Sequence, residues 1–458
     1  MKLPIKLYLE LKRKLSPQAI LVLGFSSAIL IGAVLLSLPF ASSGNSLRFV
    51  DSLFTAASAT CVTGLIVVDT GSFFSIYGQI IILVLIQIGG LGIMSFSILF
   101  LFYLRGRLGI GSREIIEETL TAFSNFDVAP LLKSVFIFTF TIESIGAVLL
   151  TFRFMFDMPF DQALFTGIFH SISAFCNAGF STFSDSLEGY RTDIFINIVM
   201  MLLIISGGLG FIVLYEIMIR SKKGFSFNKL SLHSRTVIFF SFALIVIGAV
   251  LIFIIEYDVS MKDYSLSSKF LTSLFQSVTA RTAGFNTIDI HSFSMPAIFV
   301  IVTLMFIGAS PASCGGGIKT STFAVLIAFI RTRIYNTRHV NLFYNTLPIR
   351  IVSKAVVIIV FGIISVVVFS FLVSIIEMDN TSFSQNGTHF IQIFFEVVSA
   401  FGTVGLSTGI TSDLGTMSRI LITLLMLIGR VGPLTIAIAI GSKESQDIKY
   451  AEDNILIG

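Results

Sequence analysis

The stretch Ser399-Ala400-Phe401-Gly402-Thr403-Val404-Gly405-Leu406 decides the fold, because three altered copies of it lie upstream. Ser58-Ala59-Thr60-Cys61-Val62-Thr63-Gly64-Leu65 and Ser173-Ala174-Phe175-Cys176-Asn177-Ala178-Gly179-Phe180 keep the Ser-Ala start, the Gly, and an apolar residue after that Gly. Thr279-Ala280-Arg281-Thr282-Ala283-Gly284-Phe285 is one residue shorter. A Phe precedes every Ser/Thr-Ala pair by one helical turn, at Phe54, Phe169, Phe275 and Phe395. The glycines recur roughly every 105 to 120 residues, a period that divides the chain into four structural repeats.

Composition sets the solvent. The chain is 55% hydrophobic and only 12% charged, against about a quarter charged in a water-soluble globule. Its apolar runs reach the roughly 18 residues that a helix needs to cross a bilayer, which selects helices over a barrel. Cys61, Cys176 and Cys314 show neither disulfide nor zinc spacing, and the five histidines are scattered. No Ser/His pair, HExxH motif or membrane-embedded Asp pair is present to carry out chemistry, so an enzyme is not expected.

Each repeat reads as helix, half-length helix, Gly-containing stretch, helix. In the first repeat these are Gln18–Phe40, Phe49–Thr60, the Gly64 stretch and Gly78–Leu104. The expected fold is an all-α polytopic membrane protein, with four pseudo-repeats around one pore made of eight transmembrane helices and four re-entrant segments. The units are an N-terminus at 1–17, repeats at 18–104, 105–219, 220–330 and 331–440, and a tail at 441–458. Basic residues concentrate at the two ends and in the three inter-repeat loops, from Lys2, Lys6, Lys12, Arg13 and Lys14 to Lys443 and Lys449. They outnumber those of the opposite side, Arg48, Arg153, Arg191, Lys262, Lys269 and Arg419. By the positive-inside bias both termini are cytoplasmic and all four half-helices enter from outside.

A helix that stops halfway across the bilayer leaves carbonyls unpaired and presents its negative dipole end there, which attracts cations. Irregular backbone is tolerated at that depth only where it is buried or lines a cavity. Four such loops around one axis can replace the hydration shell of a monovalent cation with backbone carbonyls. The expected ion filter is Val62, Thr63 and Gly64; Asn177, Ala178 and Gly179; Thr282, Ala283 and Gly284; and Thr403, Val404 and Gly405. The competing reading, close helix packing at glycine, does not account for the shared Phe and Ser/Thr-Ala positions.

The closing helices carry a second echo: Gly89-Gly90-Leu91-Gly92, Gly207-Gly208-Leu209-Gly210 and Gly429-Arg430-Val431-Gly432. Arg430 replaces a glycine, and is expected to project toward the axis as a barrier to cations; pairing with Glu143 or Glu396 is the alternative. In the third repeat Pro311 and Gly315-Gly316-Gly317 forbid a continuous helix. The segment Ala309, Ser310, Pro311, Ala312, Ser313, Cys314, Gly315, Gly316, Gly317, Ile318, Lys319 is therefore expected to be a loop across the path, a candidate gate. Arg281, Lys319 and Arg430 are the basic residues at membrane depth, each functional by default.

These four stretches, the interrupted helix and Arg430 make the chain resemble the Trk/Ktr/HKT superfamily of potassium transporters, and within it the membrane subunit of the bacterial Ktr type. The resemblance runs over essentially the whole chain and lacks the two extra N-terminal helices of the Trk branch. It implies uptake of K+ across the bacterial cell membrane, often Na+-dependent, by a homodimer in the lipid bilayer. It also implies a cytoplasmic regulatory ring that binds ATP or ADP, with nucleotide acting only through that ring, and it matches the family's gate to Ala309–Lys319. The basic loops and the tail 441–458 would be the docking surface, and no nucleic acid is involved. One matched glycine per loop suggests selectivity open to Na+, and an ion-coupled secondary transporter of another monovalent cation is the alternative. Arg281 is expected to brace the third loop from behind.

Overall fold

The computed structural model describes residues 17–44, 46–92, 128–221, 226–377, 383–432 and 435. The basic N-terminal lead, the segment with Arg105, Arg107 and Arg113, and the tail 441–458 lie outside the described residues.

Four helices among the described residues are long and apolar enough to span a bilayer, and each opens one repeat. They are α1 (Pro17–Ser37), α4 (Val128–Phe154), α8 (Leu232–Glu256) and α12 (Ile349–Glu377). Their outer faces are apolar: Val148 is 69% exposed, Phe371 65%, and Phe299 on a neighbouring helix 72%. Side chains of this kind are exposed over such lengths only where the solvent is hydrocarbon.

A shorter helix follows each opening helix: α2 (Phe49–Thr60), α5 (Phe160–Phe175), α9 (Leu266–Thr279) and α13 (Phe383–Gly402). Asp51 and Asp161 stand in the first turns of α2 and α5, where a negative charge suits the helix dipole. The shared phenylalanines Phe54, Phe169, Phe275 and Phe395 are all fully buried. They fix how each half-helix seats in the bundle.

The closing helices are α3 (Ile76–Leu91), α6 (Ile194–Leu209), α10 (Met295–Phe306) and α14 (Thr416–Val431). Each packs against the half-helix of the next repeat: α3 on α5, α6 on α9, α10 on α13, and α14 back on α2. That last contact closes the ring. A buried ion pair pins it, since Arg419 of α14 donates to Asp51 of α2, with both side chains under a tenth exposed.

The closing helices depart from expectation. The sequence reads each closing helix as one continuous span, Gly78–Leu104 in the first repeat, Ile194–Ile219 in the second and Arg419–Ile440 in the fourth, yet α3, α6 and α14 stop at Gly92, Gly210 and Gly432. Those glycines sit at φ 77°, 92° and 96°, a left-handed conformation that ends a helix and that glycine adopts without a Cβ penalty. In the second repeat the chain continues as α7 (Phe211–Ser221), turned by 100° from α6. The continuations after Gly92 and Gly432 lie outside the described residues. The third repeat resumes in α11 (Thr320–Ile334). A short hairpin, β1 (Asn341–Leu342) and β2 (Asn345–Thr346), joins it to the fourth repeat.

Candidate ion pathway

Each half-helix ends in an extended loop with the same backbone signature. Gly64, Gly179, Gly284 and Gly405 have φ of 95°, 71°, 80° and 93°. Two residues earlier Val62, Asn177, Thr282 and Thr403 are also left-handed, at 57°, 59°, 78° and 49°. Three of those four are β-branched, the residue class that resists positive φ most. Alternating the sign of φ along a segment keeps successive carbonyls on one side of it, where an ordinary strand would point them to opposite sides. Such outliers persist only where the surrounding packing holds them.

The four loops form a closed ring. A Cβ added to Gly64 would stand 2.6 Å from the carbonyl oxygen of Ala178, and one on Gly179 2.8 Å from that of Ala283. Gly284 faces the Val404 carbonyl in the same way, and Gly405 the Thr63 carbonyl. Every glycine thus abuts the residue before the next repeat's glycine, in the order one, two, three, four, one. The Ser or Thr of the shared motif holds each loop to its helix. The hydroxyls of Ser58 and Ser399 accept from the Gly64 and Gly405 amides at 3.0 and 3.1 Å. Those of Ser173 and Thr279 donate to the Phe180 and Phe285 carbonyls at 2.7 and 2.8 Å. This use of the hydroxyl was not read from the sequence, although its fourfold recurrence was the available signal.

Beneath the glycines the next layer is cross-linked. The Asn177 amide and Thr282 hydroxyl are hydrogen-bonded at 3.1 Å, joining repeats two and three. On this layer rests the segment between α10 and α11. Its ends are held together by a parallel bridge between Ile307 and Ile318. Between them the loop is tied down on three sides. Ser310 and Cys314 amides donate to Gly208 and Gly207 carbonyls, both at 3.1 Å, and the Phe211 amide donates to Ala312 at 2.9 Å. The Gly316 amide donates to Thr403 Oγ1 at 3.0 Å. A Cβ on Gly315 or Gly316 would run into the Thr282 or Thr403 hydroxyl, so only glycine lets the loop approach the ring this closely. Low intrinsic helix propensity here leaves a loop whose position is set by specific bonds to repeats two and four.

The basic residues serve backbone carbonyls. Arg430 donates to the Cys314 carbonyl of the loop and to the Gly89 carbonyl at the end of α3, so it bridges the loop to repeat one and pairs with neither Glu143 nor Glu396. Lys319 Nζ donates to Gly315 O at 2.5 Å, closing the triple-glycine turn. Arg281 lies behind the third loop, donating to Ser241 O at 3.2 Å and its hydroxyl at 3.3 Å, with a longer contact to Gly308 O at 3.5 Å. Its partners are Ser241 of the opening helix α8 and Gly308, just past the end of α10, and neither a half-helix carbonyl nor an acid.

The acids are occupied behind the ring. Glu143 accepts from Gln87 at 3.1 Å and faces the Cys176 thiol at 3.7 Å. Glu396 accepts from Thr411. The echo glycines have a packing role: Gly89, Gly207 and Gly429 abut the carbonyls of Thr60, Phe175 and Phe401, at the ends of the half-helices of their own repeats. Beyond the ring, Glu188 is held above the ordinary carboxylate range by partial burial and by the nearby Asp289 and Asp185. No group of three or more His, Cys, Asp or Glu suited to a metal occurs among the described residues.

Four re-entrant half-helices meeting in a ring of backbone, inside a bundle of lipid-facing helices, define a membrane ion transporter and not an enzyme. The model of the TrkH family, described as "Cation transport protein", matches residues 19–449. The chain belongs to that family, on its Ktr branch. It is 38% identical over 447 residues to Ktr system potassium uptake protein B of Bacillus subtilis, covering 97% of each chain. It is 34% identical to the potassium/sodium uptake protein NtpJ of Enterococcus hirae, covering 98% of this chain and 99% of that one. The crystal structure of the potassium transporter TrkH from Vibrio parahaemolyticus superposes with a TM-score of 0.72 over 92% of this chain and 84% of that one, at 20% identity, which is a likeness of fold.

Proposed function

We propose that the protein takes up K+ through the ring of four glycine loops, and that the segment Ala309–Lys319 gates that path from below. The closed ring carries the reading: each of Gly64, Gly179, Gly284 and Gly405 faces the preceding carbonyl of its neighbour. Val62, Thr63 and Gly64 with their counterparts Asn177–Gly179, Thr282–Gly284 and Thr403–Gly405 supply the carbonyls, which substitute for water around a dehydrated cation. Arg430 and Lys319 hold the loop in the closed position through Cys314 and Gly315, and their charge opposes cations below the filter. Opening requires the bonds to Gly207, Gly208 and Thr403 to break together. That is work for an external partner.

The relatives' names favour a K+ system with more than one component, and this supports a cytoplasmic regulatory ring binding ATP or ADP. The two left-handed residues at the hairpin tip, Phe343 and the fully exposed Tyr344, belong with the basic loops as its docking surface. The working unit is a homodimer in the bacterial cell membrane with both termini cytoplasmic. A second reading, transport involving Na+ as activator or co-substrate, rests on the similarity to a potassium/sodium uptake protein. The test is expression in a bacterium lacking K+ uptake, with and without a cognate regulatory subunit. Growth at low K+ is expected with the pair, and failure under both conditions would overturn the reading.

A further inference from the structure

Behind the loop, on the side away from the ring, lies a cavity of about 440 Å³ that the pathway does not use. It is bounded by α10, α11, α12 and α13, and its back wall holds Phe306, Val398 and the bridged pair Ile307 and Ile318. Thr303 is the one polar residue of its lining. Water would find no partners to replace its own hydrogen bonds there, and an empty space of this size would forfeit the contacts of every residue around it.

The cavity is continuous with the bilayer-facing surface. Ile363 and Val367 line it, and they are 49% and 59% exposed on α12, one of the four spanning helices. At that depth the solvent is hydrocarbon, so what can enter from the side is an acyl chain. The volume falls within the range of about 300–1,000 Å³ typical of small-molecule sites with apolar walls. We propose that this cavity is an acyl-chain site: one hydrocarbon tail of a bilayer lipid occupies it and lies against the Ile307–Ile318 pair at the base of the loop. The site stands whether or not the loop gates, because its warrant is shape and solvent. If the loop does gate, the tail packs against the two residues about which it would hinge.

The chain has no tryptophan, so a single one can report the site. Phe306→Trp places an indole in the back wall of the cavity, and Phe154→Trp places one at a fully buried position. Both are reconstituted into phosphatidylcholine vesicles whose chains are brominated near their midpoints. Bromine quenches at contact, so Phe306→Trp is expected to be quenched about threefold more than Phe154→Trp, and adding Val366→Phe to fill the cavity should remove most of the excess. Equal quenching of the two reporters would overturn the proposal. So would excess quenching that Val366→Phe leaves intact, or quenching of Phe306→Trp that appears only after dissociation to monomers, which would assign the cavity to a second copy of the chain.

Discussion

Thr403 is strained and bonded at once: its backbone sits at φ 49°, and its hydroxyl accepts from the Gly316 amide at 3.0 Å. Thr403→Val keeps the shape and removes the acceptor, leaving a buried amide unpaired at a cost of about 1–3 kcal/mol to the seated loop. Cation flux without the regulatory partner, followed as Rb+ uptake into proteoliposomes, should rise about tenfold. An unchanged rate would show that this bond does not hold the path closed. At this scale the sequence was partly legible. The fourfold glycine could be read because it recurs, whereas a left-handed Val62 or Thr403 could not, since β-branched residues normally avoid that region and only the surrounding packing forces them into it. The partners of Arg281 and Arg430 were equally hidden, because backbone carbonyls leave no mark in sequence.

Between α10 and α11 the loop shows how propensity and context divide the work. Pro311 and three successive glycines predict that the helix must open, and it does; what they do not predict is that five hydrogen bonds to repeats two and four then fix the loop in one place. Deleting Ala309–Gly317 should raise Rb+ flux in the absence of the partner about tenfold or more, and equal or lower flux in well-inserted protein would count against a gate. Arg430→Gln, which keeps a donor and removes the charge, should raise it less, by about threefold, since Lys319 remains. Measuring both variants in one preparation separates the barrier from the loop that it holds. The breaks at Gly92, Gly210 and Gly432 were missed although the glycines were noticed. Their neighbours are strongly apolar, and hydropathy reports that a segment lies in the membrane without reporting whether it stays straight.

The whole molecule is a ring whose last contact joins residues near opposite ends of the chain. Asp51 takes both Arg48, at 2.8 Å, and Arg419, and Arg419 also donates to Ser412 O at 2.7 Å. Removing one partner of such a buried pair leaves an uncompensated charge and costs about 3–5 kcal/mol. Asp51→Ala should therefore lower the temperature at which detergent-solubilised protein aggregates by several degrees, and the double change Asp51→Ala with Arg419→Met should recover part of the loss. A single variant as stable as the native chain would remove this pair from the account of ring closure. The sequence suggested four repeats and one axis, but nothing in it announced which residues would meet where the first repeat touches the fourth.

Whether the glycine ring selects K+ is read from the permeability ratio of K+ to Na+ in proteoliposomes. Gly405 faces the Thr63 carbonyl at φ 93°, so Gly405→Ser must push that carbonyl out of the ring. The ratio should fall about tenfold in this variant while cations still pass, as expected when a coordinating oxygen is displaced. An identical ratio in native and Gly405→Ser protein would show that the ring does not select.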